Sequence, residues 1–157
     1  MNMTIPRIKT SSIDLPNTDM GYSSEIAVTK KNAKDKEMVN ILLVEDNRVN
    51  RLIIGRMIEH LGYDIFYAEN GQIAVDLCQE KVFSLILMDC QMPVMDGLTA
   101  TTIIRTSTLN CNVPIVAVTA NAMTSDREAC LQVGMNEHLA KPVKLDDLSA
   151  IVKHWLH

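Results

Sequence analysis

The sequence predicts an α/β domain in which five parallel strands form an open sheet and five helices cover both of its faces. Two observations carry this. Across residues 38–157, short apolar runs alternate with segments whose apolar residues recur at helical spacing. Several of these runs are continuously apolar instead of alternating with polar residues, as expected of strands buried on both sides and joined by crossover helices.

The elements follow in order. Ile41-Leu42-Leu43-Val44 is the first buried strand, and Val49, Leu52, Ile53 and Met57 then fall at helical spacing. Tyr63-Asp64-Ile65-Phe66-Tyr67-Ala68 reads as a second strand. Asn70, a good N-cap, precedes a helix carrying Ile73, Ala74, Leu77 and Cys78 on one face. Leu85-Ile86-Leu87-Met88 is the third strand, followed by a helix from about Leu98 to Arg105. Pro114-Ile115-Val116-Ala117-Val118 is the fourth, with proline at its entry, where a missing N–H does least harm. The next helix ends near Gly134, which suits the residue just past a helix terminus. Glu137-His138-Leu139-Ala140 is a short fifth strand, and Leu145, Leu148, Ile151, Val152 and Trp155 mark the apolar stripe of a last helix.

Residues 1–37 differ from the rest. They are rich in Ser, Thr, Asn and Lys, contain Pro6, Pro16 and Gly21, and sustain no apolar period. This composition predicts a flexible tail or linker, with a short docking segment as the alternative.

Composition excludes several function classes. With 157 residues, the chain has room for one ordinary domain. A net charge of −4 offers nothing to recruit nucleic acid or an anionic membrane. No secretory leader and no apolar run of membrane-spanning length are visible, so a cytoplasmic protein is expected. The four cysteines, Cys78, Cys90, Cys111 and Cys130, form no CxxC pair and have no histidine cluster beside them. They read as reduced thiols, not zinc ligands or a disulfide framework.

In an open parallel sheet, ligands bind beyond the carboxyl ends of the strands, where strand order reverses. Glu45 and Asp46 follow the first strand, Asp89 the third, Thr119 the fourth and Lys141 the fifth. Singly, each reads as a cap or a turn; together they converge on one rim if these strands are neighbours. Three adjacent carboxylates repel one another unless compensated. A divalent cation with the Lys141 ammonium balances them, and ligation by oxygen alone suits Mg²⁺. Such a rim is suited to bringing a phosphoryl group to a carboxylate. Asp89 is the candidate nucleophile, Lys141 a point charge on a phosphoryl oxygen, and Thr119 a hydroxyl donor to another. The small Ala120 leaves space beside them.

Leu43-Val44-Glu45-Asp46-Asn47 resembles the acidic pocket of the response-regulator receiver family. Met88-Asp89-Cys90-Gln91-Met92-Pro93-Val94-Met95-Asp96-Gly97 is similar to that family's phosphorylation loop, and Val118-Thr119-Ala120 and Lys141-Pro142 to its two remaining signatures. The resemblance covers about residues 38–157 and implies a flavodoxin-like (CheY-like) sheet in the order 2-1-3-4-5. It implies a phosphoacceptor Asp89, a Mg²⁺ ion held directly by Asp46, Asp89 and the Gln91 backbone carbonyl, and Glu45 acting through water. The implied donor is a phosphohistidine on a histidine kinase or a histidine-phosphotransfer domain. The implied switch couples Thr119 to a ring three residues before the lysine, here His138 where the family carries Tyr or Phe. Thr119-Ala120-Asn121-Ala122-Met123 and the segment from Gly134 to Pro142 are similar to receivers of hybrid sensor histidine kinases. The expected protein is the C-terminal receiver of such a kinase, or a stand-alone relay receiver. Partner contacts are expected on the face made by the fourth helix, fifth strand and fifth helix, near Arg127, Glu128 and Gln132. Gln91 and Asn121 flank the site and are expected to tune hydrolysis.

Two other readings fit less well. A Mg²⁺-dependent aspartyl-phosphate phosphohydrolase of the haloacid-dehalogenase type looks for DxDx[TV] after its first strand, and Glu45-Asp46-Asn47 lacks it. A flavin carrier of the same topology needs hydroxyls and free N–H groups after that strand, where Glu45 and Asp46 would repel a phosphate.

Overall fold

The computed structural model describes residues 39–120 and 124–156, so the segment 1–37 and Asn121 lie outside the described residues. Five strands, β1 (Asn40–Val44), β2 (Asp64–Ala68), β3 (Leu85–Asp89), β4 (Ile115–Thr119) and β5 (Glu137–Ala140), alternate with five helices. The helices are α1 (Arg48–His60), α2 (Gly71–Glu80), α3 (Gly97–Ser107), α4 (Thr124–Gln132) and α5 (Leu145–Leu156). All strand pairs are parallel, in the order β2-β1-β3-β4-β5.

Strand alternation splits the core into two layers. Leu42, Val44, Ile86, Met88, Ile115 and Ala117 face α2, α3 and α4 through Ala74, Cys78, Ala100, Ile104 and Cys130. Ile41, Leu43, Leu85, Leu87, Val116 and Val118 face α1 and α5 through Ile54, Ile58, Leu148, Ile151 and Val152. The central strands β1 and β3 are buried along almost their whole length, which is why they read as unbroken apolar runs.

The helix ends follow local chemistry. Asn47, Asn70 and Asp96 cap α1, α2 and α3 by accepting from the backbone N–H groups of Asn50, Ile73 and Thr99, at 3.0, 2.9 and 2.8 Å. Beyond α4, Gly134 takes φ +105°, Met135 N–H donates to the Cys130 carbonyl and Gly134 N–H to that of Leu131. This is the paired closure that glycine permits at a helix terminus. Asn110, 2% exposed, accepts from Phe83 N–H at 2.7 Å and donates to the Cys78 and Lys81 carbonyls at 2.8 Å each, closing the end of α2.

One expectation shifts by a residue. Helix α1 buries Ile54, Gly55 and Ile58, whereas Val49, Leu52 and Ile53 are 62%, 50% and 49% exposed. The helix carries two apolar stripes, and only the one continued by Ile54 and Ile58 meets the sheet. Ile73 on α2 is likewise 38% exposed, while Ala74 and Cys78 face the core. Among the described residues, no helix is long and apolar enough to cross a membrane.

Candidate functional site

The strand order reverses at β1, whose neighbours are β2 and β3. A cleft of about 210 Å³ opens there, lined by Glu45, Asp46, Asn47, Asn50, Asp89, Gln91, Thr119, Ala120 and Lys141. It thus gathers the side chains that follow β1, end β3 and β4, and follow β5. Ligand oxygens of Glu45, Asp46 and Asp89 all lie within 4.8 Å of one another. Glu45 and Asp89 are buried, and Asp46 is exposed at the mouth.

Local bonds hold this geometry. Glu45 N–H donates to the Ala68 carbonyl at 3.0 Å, and Asn47 N–H donates to Glu45 Oε2 at 3.1 Å. Arg51, one turn into α1, donates Nη1 to the Glu45 carbonyl at 2.8 Å. The β3–α3 loop is fixed by glycines where backbones touch. Gly97 N–H donates to the Cys90 carbonyl at 3.1 Å, and a Cβ on Gly97 would stand 2.2 Å from the Asp89 carbonyl oxygen. Gly71 N–H donates to the Met95 carbonyl at 3.0 Å, and a Cβ there would stand 2.5 Å from that oxygen. Between them Val94, 80% exposed, has φ +71° inside a tight turn closed by Met95 N–H donating to the Pro93 carbonyl.

The charges are unbalanced. Lys141 Nζ lies 3.1 Å from Glu45 Oε1 and 3.2 Å from Asp89 Oδ2. Its contact with Glu45 is an ion pair that misses hydrogen-bonding angles, so the buried Oε1 accepts no hydrogen bond. Asp89 Oδ1 accepts from Gln91 N–H at 3.1 Å. Burial pushes the Asp89 carboxyl up; the Gln91 N–H pulls down, the Glu45 charge pushes up and Lys141 pulls down, leaving it at about 6. Burial pulls the Lys141 ammonium down, but Glu45 and Asp89 outweigh it and hold its pKa above the ordinary value. Two buried carboxylates therefore share one ammonium beside a third, exposed carboxylate, with a buried oxygen of Glu45 lacking a hydrogen bond. An oxygen-only, anionic donor set of this kind fits a hard divalent cation of the Mg²⁺ class.

Thr119 lines the cleft, whereas His138 lies within β5 and does not line it. In the β4–β5 register, Ala117 pairs with His138 and Thr119 with Ala140, so Thr119 and His138 project to the same face of the sheet, one pair apart. Both are half-buried. Arg127, Glu128 and Gln132 lie exposed on α4.

Comparison with known proteins is consistent with this geometry. The sequence model of the response regulator receiver domain matches residues 41–153. The chain belongs to the response regulator receiver family. Hybrid signal transduction histidine kinase B of Dictyostelium discoideum is 41% identical over 145 residues, covering 84% of this chain but 7% of that kinase. The receiver domain of sensor histidine kinase PA1611 from Pseudomonas aeruginosa, solved with a magnesium ion coordinated in its active-site cleft, shares 45% identity at a TM-score of 0.70. That match covers 75% of this chain and 97% of the other. The receiver of the Saccharomyces cerevisiae regulator Ssk1, solved with the histidine-phosphotransfer protein Ypd1, is 35% identical at a TM-score of 0.69, covering 74% and 88%. The chain is thus a receiver of the two-component and phosphorelay type, related to those of hybrid histidine kinases, and these likenesses do not favour the phosphohydrolase reading.

The sequence does not single out Asn50, Gly71 or, within the phosphorylation-loop motif, the positive φ of Val94. The signal for Asn50 is its position one turn past the Asn47 cap, at the mouth of the acidic loop. Gly71 and Val94 carry none, because the first meets the β3–α3 loop through the Met95 carbonyl and the second takes positive φ inside the turn between Pro93 and Met95.

Proposed function

We propose that this receiver takes a phosphoryl group from a phosphohistidine onto Asp89, in a site that holds Mg²⁺ through Asp46, Asp89 and the Gln91 carbonyl, with Glu45 acting through water. The observation that carries this reading is the cluster of three carboxylates, two of them paired with one ammonium, in an open cleft at the reversal of strand order. When bound, Mg²⁺ supplies charge neutralisation and alignment for the transferring group. The chain's own residues do the rest. Gln91 N–H fixes one Asp89 oxygen while Lys141 faces the other. An Asp89 oxygen attacks phosphorus, the P–N bond to the donor imidazole breaks, and the imidazole leaves with that electron pair. Lys141 and the Thr119 hydroxyl take up charge on the phosphoryl oxygens. Movement of Thr119 toward the phosphoryl group carries the change to His138, which shares its sheet face. Residues 38–157 form the receiver domain, with 1–37 a tail or linker, and the parent protein is a hybrid histidine kinase or a stand-alone relay protein. The domain works in the cytoplasm, where its four cysteines, all free thiols, need form no structural disulfide.

The donor is a histidine-phosphotransfer domain or kinase that docks a helix on the exposed stripe Val49, Leu52 and Ile53. This stripe continues directly from Asn47 and Asn50 at the cleft, and Arg48 and Arg56 beside it are exposed cations that favour an acidic partner surface. Incubation with a phosphorylated histidine-phosphotransfer domain and Mg²⁺ should move one labelled phosphoryl group to this chain. Leu52→Glu and Ile53→Glu should slow that transfer but leave phosphorylation by a small acyl phosphate unchanged. Transfer that persists in Asp89→Asn would overturn the assignment of the acceptor.

A further inference from the structure

Cys90 directly follows Asp89, and its sulfur lies 3.5 Å from that of Cys130, forty positions later on α4. The two thiols come from different elements, and the phosphotransfer chemistry uses neither. Cys90 is partly exposed and Cys130 is buried at 6% exposure. The other cysteines are uninvolved: Cys78 is buried beside Ala74 under the sheet, and Cys111 is exposed beyond α3.

We propose that Cys90 and Cys130 are a redox-active dithiol, which a hydroperoxide converts to a disulfide that restrains the loop carrying the metal- and phosphoryl-binding groups. Cys90 sulfur attacks the outer oxygen of the hydroperoxide, the O–O bond breaks, and an alcohol leaves with one oxygen while the sulfur becomes a sulfenic acid. Cys130 sulfur then attacks the Cys90 sulfur, the S–O bond breaks, and water leaves. Two thiols lose two electrons and two protons, and the hydroperoxide ends as alcohol plus water.

A disulfide holds its sulfurs about 2.05 Å apart, so closure draws the pair together by roughly 1.5 Å. The backbone around Cys90 has little slack. Its N–H donates to the Val118 carbonyl at 3.3 Å, its carbonyl accepts from Gly97 N–H at 3.1 Å, and the next N–H holds Asp89 Oδ1. Closure therefore shifts Gln91, whose N–H and carbonyl both serve the site. A misplacement of order 1 Å costs up to about a hundredfold in a positioned reaction.

The test treats the full chain with hydrogen peroxide, then maps alkylated and cross-linked peptides by mass. The expected result is a loss of two mass units in a Cys90–Cys130 peptide, reversed by dithiothreitol and absent in Cys130→Ala and Cys130→Ser. The oxidised protein should take up phosphoryl groups from acetyl phosphate at least about tenfold more slowly, and both variants should show no such change on oxidation. This rate comparison rests on Asp89 as acceptor. A reduced protein that took up nothing would count against that acceptor, while the linkage would still be decided by mass. Oxidation of Cys111 with no Cys90–Cys130 link, or a link that leaves uptake at the reduced rate, would overturn the proposal.

Discussion

In metal-free protein, the Asp89 charge opposes folding, and Asp89→Asn should remove that opposition. The carboxyl titrates near 6 in the fold against 3.8 ordinarily, and each such unit is about 1.36 kcal/mol, so the ionised group costs the fold about 3 kcal/mol. The amide takes back part of this, because its N–H group confronts Lys141 Nζ where Oδ2 now sits at 3.2 Å. A net gain of about 1–2 kcal/mol remains. The sign of the pH dependence is fixed: the raised pKa makes the folded state bind more protons between pH 3.8 and about 6. Asp89 therefore lowers wild-type stability as pH rises through that window, and the variant escapes the loss. Urea unfolding in EDTA, followed by Trp155 fluorescence, would show this as a higher midpoint for Asp89→Asn at pH 8, with the two proteins converging toward pH 4. A lower midpoint for the variant at pH 8, or a wild-type-minus-variant difference independent of pH, would refute the electrostatic reasoning.

The loop and core give further expectations. Gly97→Ala should cost more than about 2 kcal/mol, because its Cβ meets the Asp89 carbonyl oxygen at 2.2 Å and neither backbone can yield; a small shift in urea midpoint would contradict this. Val94→Gly should raise stability by about 1 kcal/mol, since relief of φ +71° outweighs the added freedom of the unfolded chain and an 80% exposed side chain has little packing to lose. Asn110→Ala should destabilise by about 2–4 kcal/mol, read in the same titration, because Phe83 N–H and the carbonyls of Cys78 and Lys81 lose their partner in the core.

Most of the sheet is legible in the sequence because burial on both faces leaves unbroken apolar runs: Ile41 to Val44 and Leu85 to Met88 could hardly lie anywhere but at the centre. The acidic rim is legible because residues at strand ends can be read once the strands are placed. Helix α1 is harder. Two stripes one residue apart both satisfy helical spacing, and only packing against β1 and β3 selects Ile54 and Ile58 over Val49, Leu52 and Ile53. The exposed stripe leaves that ambiguity in the sequence as an apparent core. The close approach of Gly71 to Met95 and the positive φ of Val94 are tertiary facts with no local signature. The proximity of Cys90 to Cys130 is another, since it depends on how α4 packs under the end of β3.

The most direct test of the acceptor is intact mass after incubation with acetyl phosphate, with and without Mg²⁺, on wild type and Asp89→Asn. One Mg²⁺-dependent phosphoryl addition is expected on the wild type and none on the variant. An addition that survives Asp89→Asn at the same stoichiometry, or one that forms equally well in EDTA, would contradict this expectation.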